Sequence, residues 1–261
     1  MHPESPNERP MKAWRSGQLK PGMDGDKACL QCHKQMSQNI SAHSHHAPES
    51  AGSRCYNCHM PHTTFGLLHA IRGHQVSSPS VDESVKYGRP NACNLCHLDK
   101  TLAWTSDKLH AWYNQPTAEL SADQSNISSG VNWIMKGDAA QRVIALWNMG
   151  WEPAQNAAGR DWLYPFLVYG LSDPYAAVRF VSWKSLQTLP GFTDFAFTYT
   201  AGEATRNEAI AGAYRKWRDE VRTSSAVFEP ETTLDAAGQF QPDLFSRLRG
   251  ERDQSPVVLA E

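Results

Sequence analysis

The sequence predicts a mostly α protein in two parts: a loop-rich N-terminal region with no apolar interior of its own, followed by an α-helical domain. Three observations carry this reading. All six cysteines lie between Cys29 and Cys96 and all 11 histidines between His2 and His110, so residues 111–261 contain neither. Residues 29–100 are short segments broken by Gly, Pro, Ser and Asn, with too few apolar side chains to order themselves around a protein core. From Thr101 onward apolar residues recur at helical spacing, and six of the nine tryptophans, Trp133 to Trp217, lie within residues 131–222.

Composition narrows the function classes. With 261 residues, 40% hydrophobic, 20% charged and a net charge of -2, the chain suits one large domain or two ordinary ones and is neither disordered nor collagen-like. Its near-neutral charge gives no electrostatic footprint for nucleic acid or an anionic membrane surface. No run of 18 apolar residues is present, so no membrane span is expected. Residues 1–25 are polar and lack the charged and apolar regions of a signal peptide.

The elements follow in order. Residues 1–28, rich in Pro, Gly and charge, read as an extended arm, and residues 29–116 hold every cysteine. TLAWTSDKLHAWY places Leu102, Leu109 and Trp112 near one helical face, and a polar linker runs from Asn114 to Gly130. Asp138 is placed to cap a helix with Val143, Ile144, Trp147 and Trp151 inward, ending near Gly150. Asp161 is placed to cap a second, through Trp162, Phe166, Leu167 and Leu171. Ser172-Asp-Pro reads as an N-cap followed by Pro in the first turn of a third, which runs through Val178, Val181 and Leu186 to Pro190-Gly191. A fourth, from about Glu203 to Val221, carries Ile210, Tyr214 and Trp217. The tail, residues 223–261, is mostly polar and is expected to wrap or hang free. Within residues 131–222, GDAAQRVIAL and SDPYAAVRFVSW look like two copies of one unit, with Arg142 matching Arg179 at a separation of 37. The Asp-then-Arg pattern resembles HEAT-type helical repeats.

Cys29-Leu-Gln-Cys32-His33, Cys55-Tyr-Asn-Cys58-His59 and Cys93-Asn-Leu-Cys96-His97 are three copies of C-x-x-C-H, the attachment signature of c-type haem. Two thiols three positions apart each form a thioether to one edge of the porphyrin, and the histidine that follows falls beneath the iron as its proximal ligand. Zinc shared between C-x-x-C pairs needs four ligands and gives no reason for a His after every pair. Redox-active C-x-x-C disulfides sit on alternating strand-helix frames, which are missing here. Three covalent haems also supply the interior that residues 29–100 lack.

The proximal ligands are then His33, His59 and His97. For the distal position, His43 and His46 are spaced i, i+3 and are expected to share a helical face, with His45 pointing elsewhere. His74, in Arg-Gly-His-Gln-Val, is a separate candidate. His62 and His69 have the alternative of hydrogen-bonding a haem propionate, and His2 and His110 default to surface. Met60 directly follows a proximal His and is badly placed to ligate the same iron. Arg54, Arg72 and Arg89 are candidate propionate partners or solvated charges.

On the segments HSHHAPESAGSRCYNCHMPHTTFG, IRGHQVSSP, GRPNACNLCHLDKTLAWT and SDPYAAVR, the chain resembles a family of bacterial multihaem c-type cytochromes with a HEAT-like helical region after the haem motifs. The resemblance covers nearly everything after the arm. It implies distal ligands from the cluster at His43, His45 and His46 and from His74, and electron transfer outside the cytoplasm, in the periplasm or extracellularly. Such a protein is exported before haem attachment, so the sequence is expected to be a mature form or part of a longer polypeptide.

The leading expectation is an electron carrier with three low-potential bis-histidine haems in one short conduit. Its helical half would dock to a redox partner or to a larger respiratory, photosynthetic or extracellular assembly. The alternative is a redox enzyme with one open-faced haem, reducing a nitrogen oxyanion or peroxide. The C-x-x-C-K variant associated with catalytic haem in nitrite reductases is absent from the sequence.

Overall fold

A computed structural model describes residues 22–23, 25–66, 68–223 and 226–256. The sequence-read arm therefore lies almost wholly outside the described residues. Helices dominate, with one two-stranded sheet among the described residues, in keeping with a mostly α chain. By contacts the chain divides into two compact units. Among the described residues, one holds 22–23, 25–61 and 74–78, and the other holds 62–66, 68–73, 79–223 and 226–256.

The first unit is a succession of short turns: α1 Lys27–Leu30, a 3-10 turn Lys34–Ser37, α2 Ile40–Ser44, a 3-10 turn Ala51–Ser53 and α3 Cys55–His59. Asn39 caps α2 by accepting from the Ala42 N–H at 3.2 Å, and His45 ends it in the left-handed region at φ 56°. Neither α1 nor α2 buries a residue, and α3 buries only Asn57. Hydrogen bonds and chain turns hold this unit, not apolar packing.

The second unit begins with a hairpin, β1 His62–Phe65 and β2 His69–Arg72, antiparallel in the register His62 to Arg72. Ser80 caps α4 (Val81–Tyr87) and Thr101 caps α5 (Leu102–Tyr113), each side-chain oxygen accepting a backbone N–H three residues on. After α6 (Ala122–Asn126) and α7 (Ser129–Lys136) comes α8, Ala139–Met149, whose Asp138–Gln141 capping box fixes its start. Then follow α9 Glu152–Ala158, α10 Leu163–Gly170, α11 Ala176–Leu186, and α12 Glu203–Lys216 with a π turn Trp217–Val221. The last helix is α13, Pro242–Gly250.

The core lies where α8, α10 and α11 meet, and Val143, Leu146, Met149, Phe166, Leu167, Val178 and Leu186 are fully buried there. Gly170 permits the close approach, because a side chain there would run into Ser182 and Leu146. An ion pair sits in the same place. Arg142 Nε donates to Asp173 Oδ2 at 2.8 Å, its Nη1 donates to the Gly137 carbonyl at 2.7 Å, and both charged side chains are 2–3% exposed. Arg179 makes the matching backbone contact, donating to the carbonyls of Asp173 (2.7 Å) and Pro174 (2.8 Å).

Several sequence expectations shift. Asp173 does not cap the third helix, which starts at Ala176, because its carboxylate is taken by Arg142, by Arg252 and by the Tyr175 N–H. That helix ends at Leu186, short of Pro190. Asp161 is one residue too early to cap α10, whose N-cap is Trp162. The polar linker holds α6 and the start of α7. The tail is packed: Leu234 and Leu248 are buried, and Arg247 pairs with Asp123 at 2.7 Å. Residues 79–116, grouped by sequence with the other cysteine motifs, pack in the same unit as the helices.

Candidate functional site

Each C-x-x-C-H segment folds into one helical turn. In the first, the His33 N–H donates to the Cys29 carbonyl at 3.0 Å, and in the third the His97 N–H donates to Cys93 at 2.9 Å. The second is α3 itself. A helical turn sets thiols at i and i+3 on one side, the arrangement two thioethers to one porphyrin edge require. None of the six cysteines is joined in a disulfide; Cys32 is exposed and the others are partly so. Burial, with Asp26 beside it, pushes the Cys55 thiol up to about 12, so it stays protonated at neutral pH.

His59 is oriented through its ring and its backbone. Its Nδ1 lies 2.8 Å from the Ser77 carbonyl, and the Ser77 N–H returns a 2.9 Å bond to the His59 carbonyl. A carbonyl only accepts, so Nδ1 carries the proton and Nε2 keeps its lone pair, the tautomer a metal needs. The His43 ring faces it, with centres 6.1 Å apart and planes 9° from parallel. Two metal–imidazole bonds of about 2 Å, with each ring centre about 1.1 Å beyond its nitrogen, require a separation of about 6.3 Å. The separation of the two rings is of that size. His43 is exposed, yet partial desolvation, then the neighbouring His59 and His45, push it below its ordinary value and favour the neutral ring.

The rest of the cluster differs from expectation. Because α2 stops at Ser44 and His45 is left-handed, His46 does not share a helical face with His43. Its Nδ1 donates to the Ser44 carbonyl at 2.6 Å, and its ring rests on Gly52, where a Cβ would collide with it. His33 and His45 are exposed, as is His74, three residues before Ser77 in the stretch that returns to the first unit.

The third motif is held by protein. Leu95 and Leu98 are buried, and Asn94 Nδ2 donates to the Lys100 (3.1 Å) and Thr101 (3.3 Å) carbonyls while Oδ1 accepts from Thr105 at 2.7 Å. The Cys93 N–H donates to Asn91 Oδ1 at 3.0 Å. His97 packs on Trp104 of α5 with ring centres 5.0 Å apart. Protein side chains, not only a bound group, order this stretch of residues 29–100.

His62 lies in the second unit against Trp147 and Trp151, with ring centres at 4.4 and 4.7 Å. Burial, then the Arg72 charge, push it down to about 3. It is a neutral clip holding the hairpin to α8. Arg72 lies over Trp151 at 5.5 Å, Arg54 pairs with Asp26 at 3.4 Å and Arg89 with Glu83 at 3.0 Å. His69 and His110 are exposed. Sequence reasoning missed Asp26, Ser77, Asn94 and Trp104 as supports; Asp26, three residues before Cys29 in the N-cap class, carried a signal, whereas Ser77 carried none.

Among the described residues no three His, Cys, Asp or Glu side chains converge on a metal position. A haem iron takes four nitrogens from its macrocycle and would ask the protein for only one or two ligands, so it would not need such a cluster. Among the described residues no helix is long and apolar enough to cross a membrane. No family model, curated protein or solved structure matches the chain.

Proposed function

We propose that this chain is a three-haem c-type cytochrome of the multihaem family it resembles, an electron carrier that works in the periplasm or outside the cell. One observation carries the reading: beside the Cys55–Cys58 turn, His59 and His43 stand parallel, 6.1 Å apart, with the His59 tautomer set by Ser77. Covalently bound haem supplies a reversible one-electron couple at iron. The chain's residues do the rest. Cys29 with Cys32, Cys55 with Cys58, and Cys93 with Cys96 anchor the three groups, and His33, His59 and His97 bind from the proximal side. His43 serves the second iron, and His45, His46 and His74 are the remaining distal candidates.

Were His59 and His43 both to hold the second haem, that iron would keep no open position for substrate, which supports electron transfer over reductase chemistry there. The helical part, read as HEAT-like on the matched Arg142 and Arg179, is the docking element toward a redox partner or a larger assembly.

Denaturing mass spectrometry of the protein should show the polypeptide heavier by three haem masses. His43→Ala should then turn one haem high-spin while all three stay attached. A bare or zinc-bearing polypeptide mass would overturn the haem reading, and an unchanged low-spin spectrum in His43→Ala would overturn the axial assignment.

A further inference from the structure

The first two motifs start from one side chain. The Asp26 main-chain carbonyl accepts the N–H groups of Cys29 and Leu30, both at 2.9 Å, and so opens the first attachment turn. Its carboxylate Oδ1 accepts the Cys55 N–H at 2.9 Å, which opens the second, 29 residues later in the chain. Oδ2 lies 3.4 Å from Arg54 Nη1, closing the contact from the residue before the motif. The Asp26 side chain is only 13% exposed, while α1 buries no residue that would hold the two turns together by packing. The Cys29 and Cys55 thiols are close enough to influence each other electrostatically.

We propose that Asp26 is a positioning residue that fixes the first two haem-attachment turns against each other, and with them the spacing of the first and second haems. This rests on the haem reading above. A carboxylate oxygen caps the second turn from the first turn's own N-cap residue, so neither turn moves without the other. A peptide N–H needs only an acceptor at that point, not a charge. Asn offers an amide oxygen in the same place, and Ala offers nothing.

The test uses the full-length protein with its haems. Each variant is first weighed under denaturing conditions, so loss of haem in the wild type itself would count against the haem reading alone. Electron paramagnetic resonance of the oxidised protein then reports on spacing, because two neighbouring low-spin irons broaden each other's signals. In the wild type, the signals of the first and second haems should be broadened by each other. Asp26→Ala should remove that mutual broadening, or leave the chain short of a haem, and Asp26→Asn should behave as the wild type. The proposal fails if the wild type already shows three resolved signals, if Asp26→Ala changes neither the broadening nor the haem count, or if Asp26→Asn matches Asp26→Ala.

Discussion

In the first attachment turn the residue before the second cysteine, Gln31, is exposed, and its amide donates only to the Ala28 carbonyl at 2.9 Å. In the second turn Asn57 is buried and donates to Ala51 at 2.6 Å. In the third, Leu95 holds that place and is buried, and Asn94, one residue earlier, is fully buried and ties together Lys100, Thr101 and Thr105. One five-residue pattern is thus held by hydrogen bonds from backbone, Asn57 and the Asp26 carboxylate in the first unit, and by buried side chains in the second. The chemistry of attachment demands the same local turn three times. What surrounds the turn is free to differ, so on the proposed haem reading the bound group would carry in the first unit a structural role that protein carries in the second.

The strongest challenge to this contrast is to prevent haem attachment altogether. In such a chain, amide hydrogen exchange should show protection lost across residues 27–61 and kept in α5, α8, α10 and α11, since only the latter have a core to close. Equal protection in both regions would remove the contrast. The next effect is acidic. Unfolded His62 takes a proton near its usual 6.5, whereas the folded side chain, enclosed by Trp147 and Trp151, resists until about 3. Between these pH values the unfolded state binds more protons, so the second unit loses stability as pH falls, by at most about 1.4 kcal/mol per pH unit. His62→Gln should flatten that part of the profile in urea titrations.

Smaller substitutions grade the three turns. Asn94→Ala should cost about 3 kcal/mol, because buried carbonyls and the Thr105 hydroxyl lose their partner. Asn57→Ala should cost about 1 kcal/mol. Gln31→Ala should change stability by less than about 0.5 kcal/mol, as expected for a surface site. Chemical denaturation of the three variants checks the order, and equal costs would mean that the turns are held alike.

Much of the helical part was legible because its signals are local. Thr101 and Asp138 cap the helices the spacing predicts, and Gly150 ends α8 where expected. The misreadings came from distant competition. Asp173 looked like a cap in its own neighbourhood, but Arg142, 31 residues earlier, and Arg252, 79 later, claim its oxygens. The tail looked polar because α13 buries a single residue, Leu248, among charged ones. At the site, the C-x-x-C-H turns were readable from five residues each. The facing of His43 and His59 was not, since it depends on how a chain of Gly, Pro and Ser residues folds back between them.

The path of the chain around the second motif limits how this protein can be rebuilt by recombination. The first unit is not one continuous stretch: the chain leaves it after Pro61, forms the hairpin, and returns for residues 74–78 before leaving again. That return delivers the Ser77 carbonyl to His59. A gene fusion that moved residues 1–61 as a cassette would carry two cysteine pairs and their histidines but leave behind the group that sets one histidine's tautomer. A transferable module has to run to residue 78 and take the hairpin with it, His62 included, so exchange of the two-motif piece also uncovers Trp147 and Trp151 in the donor.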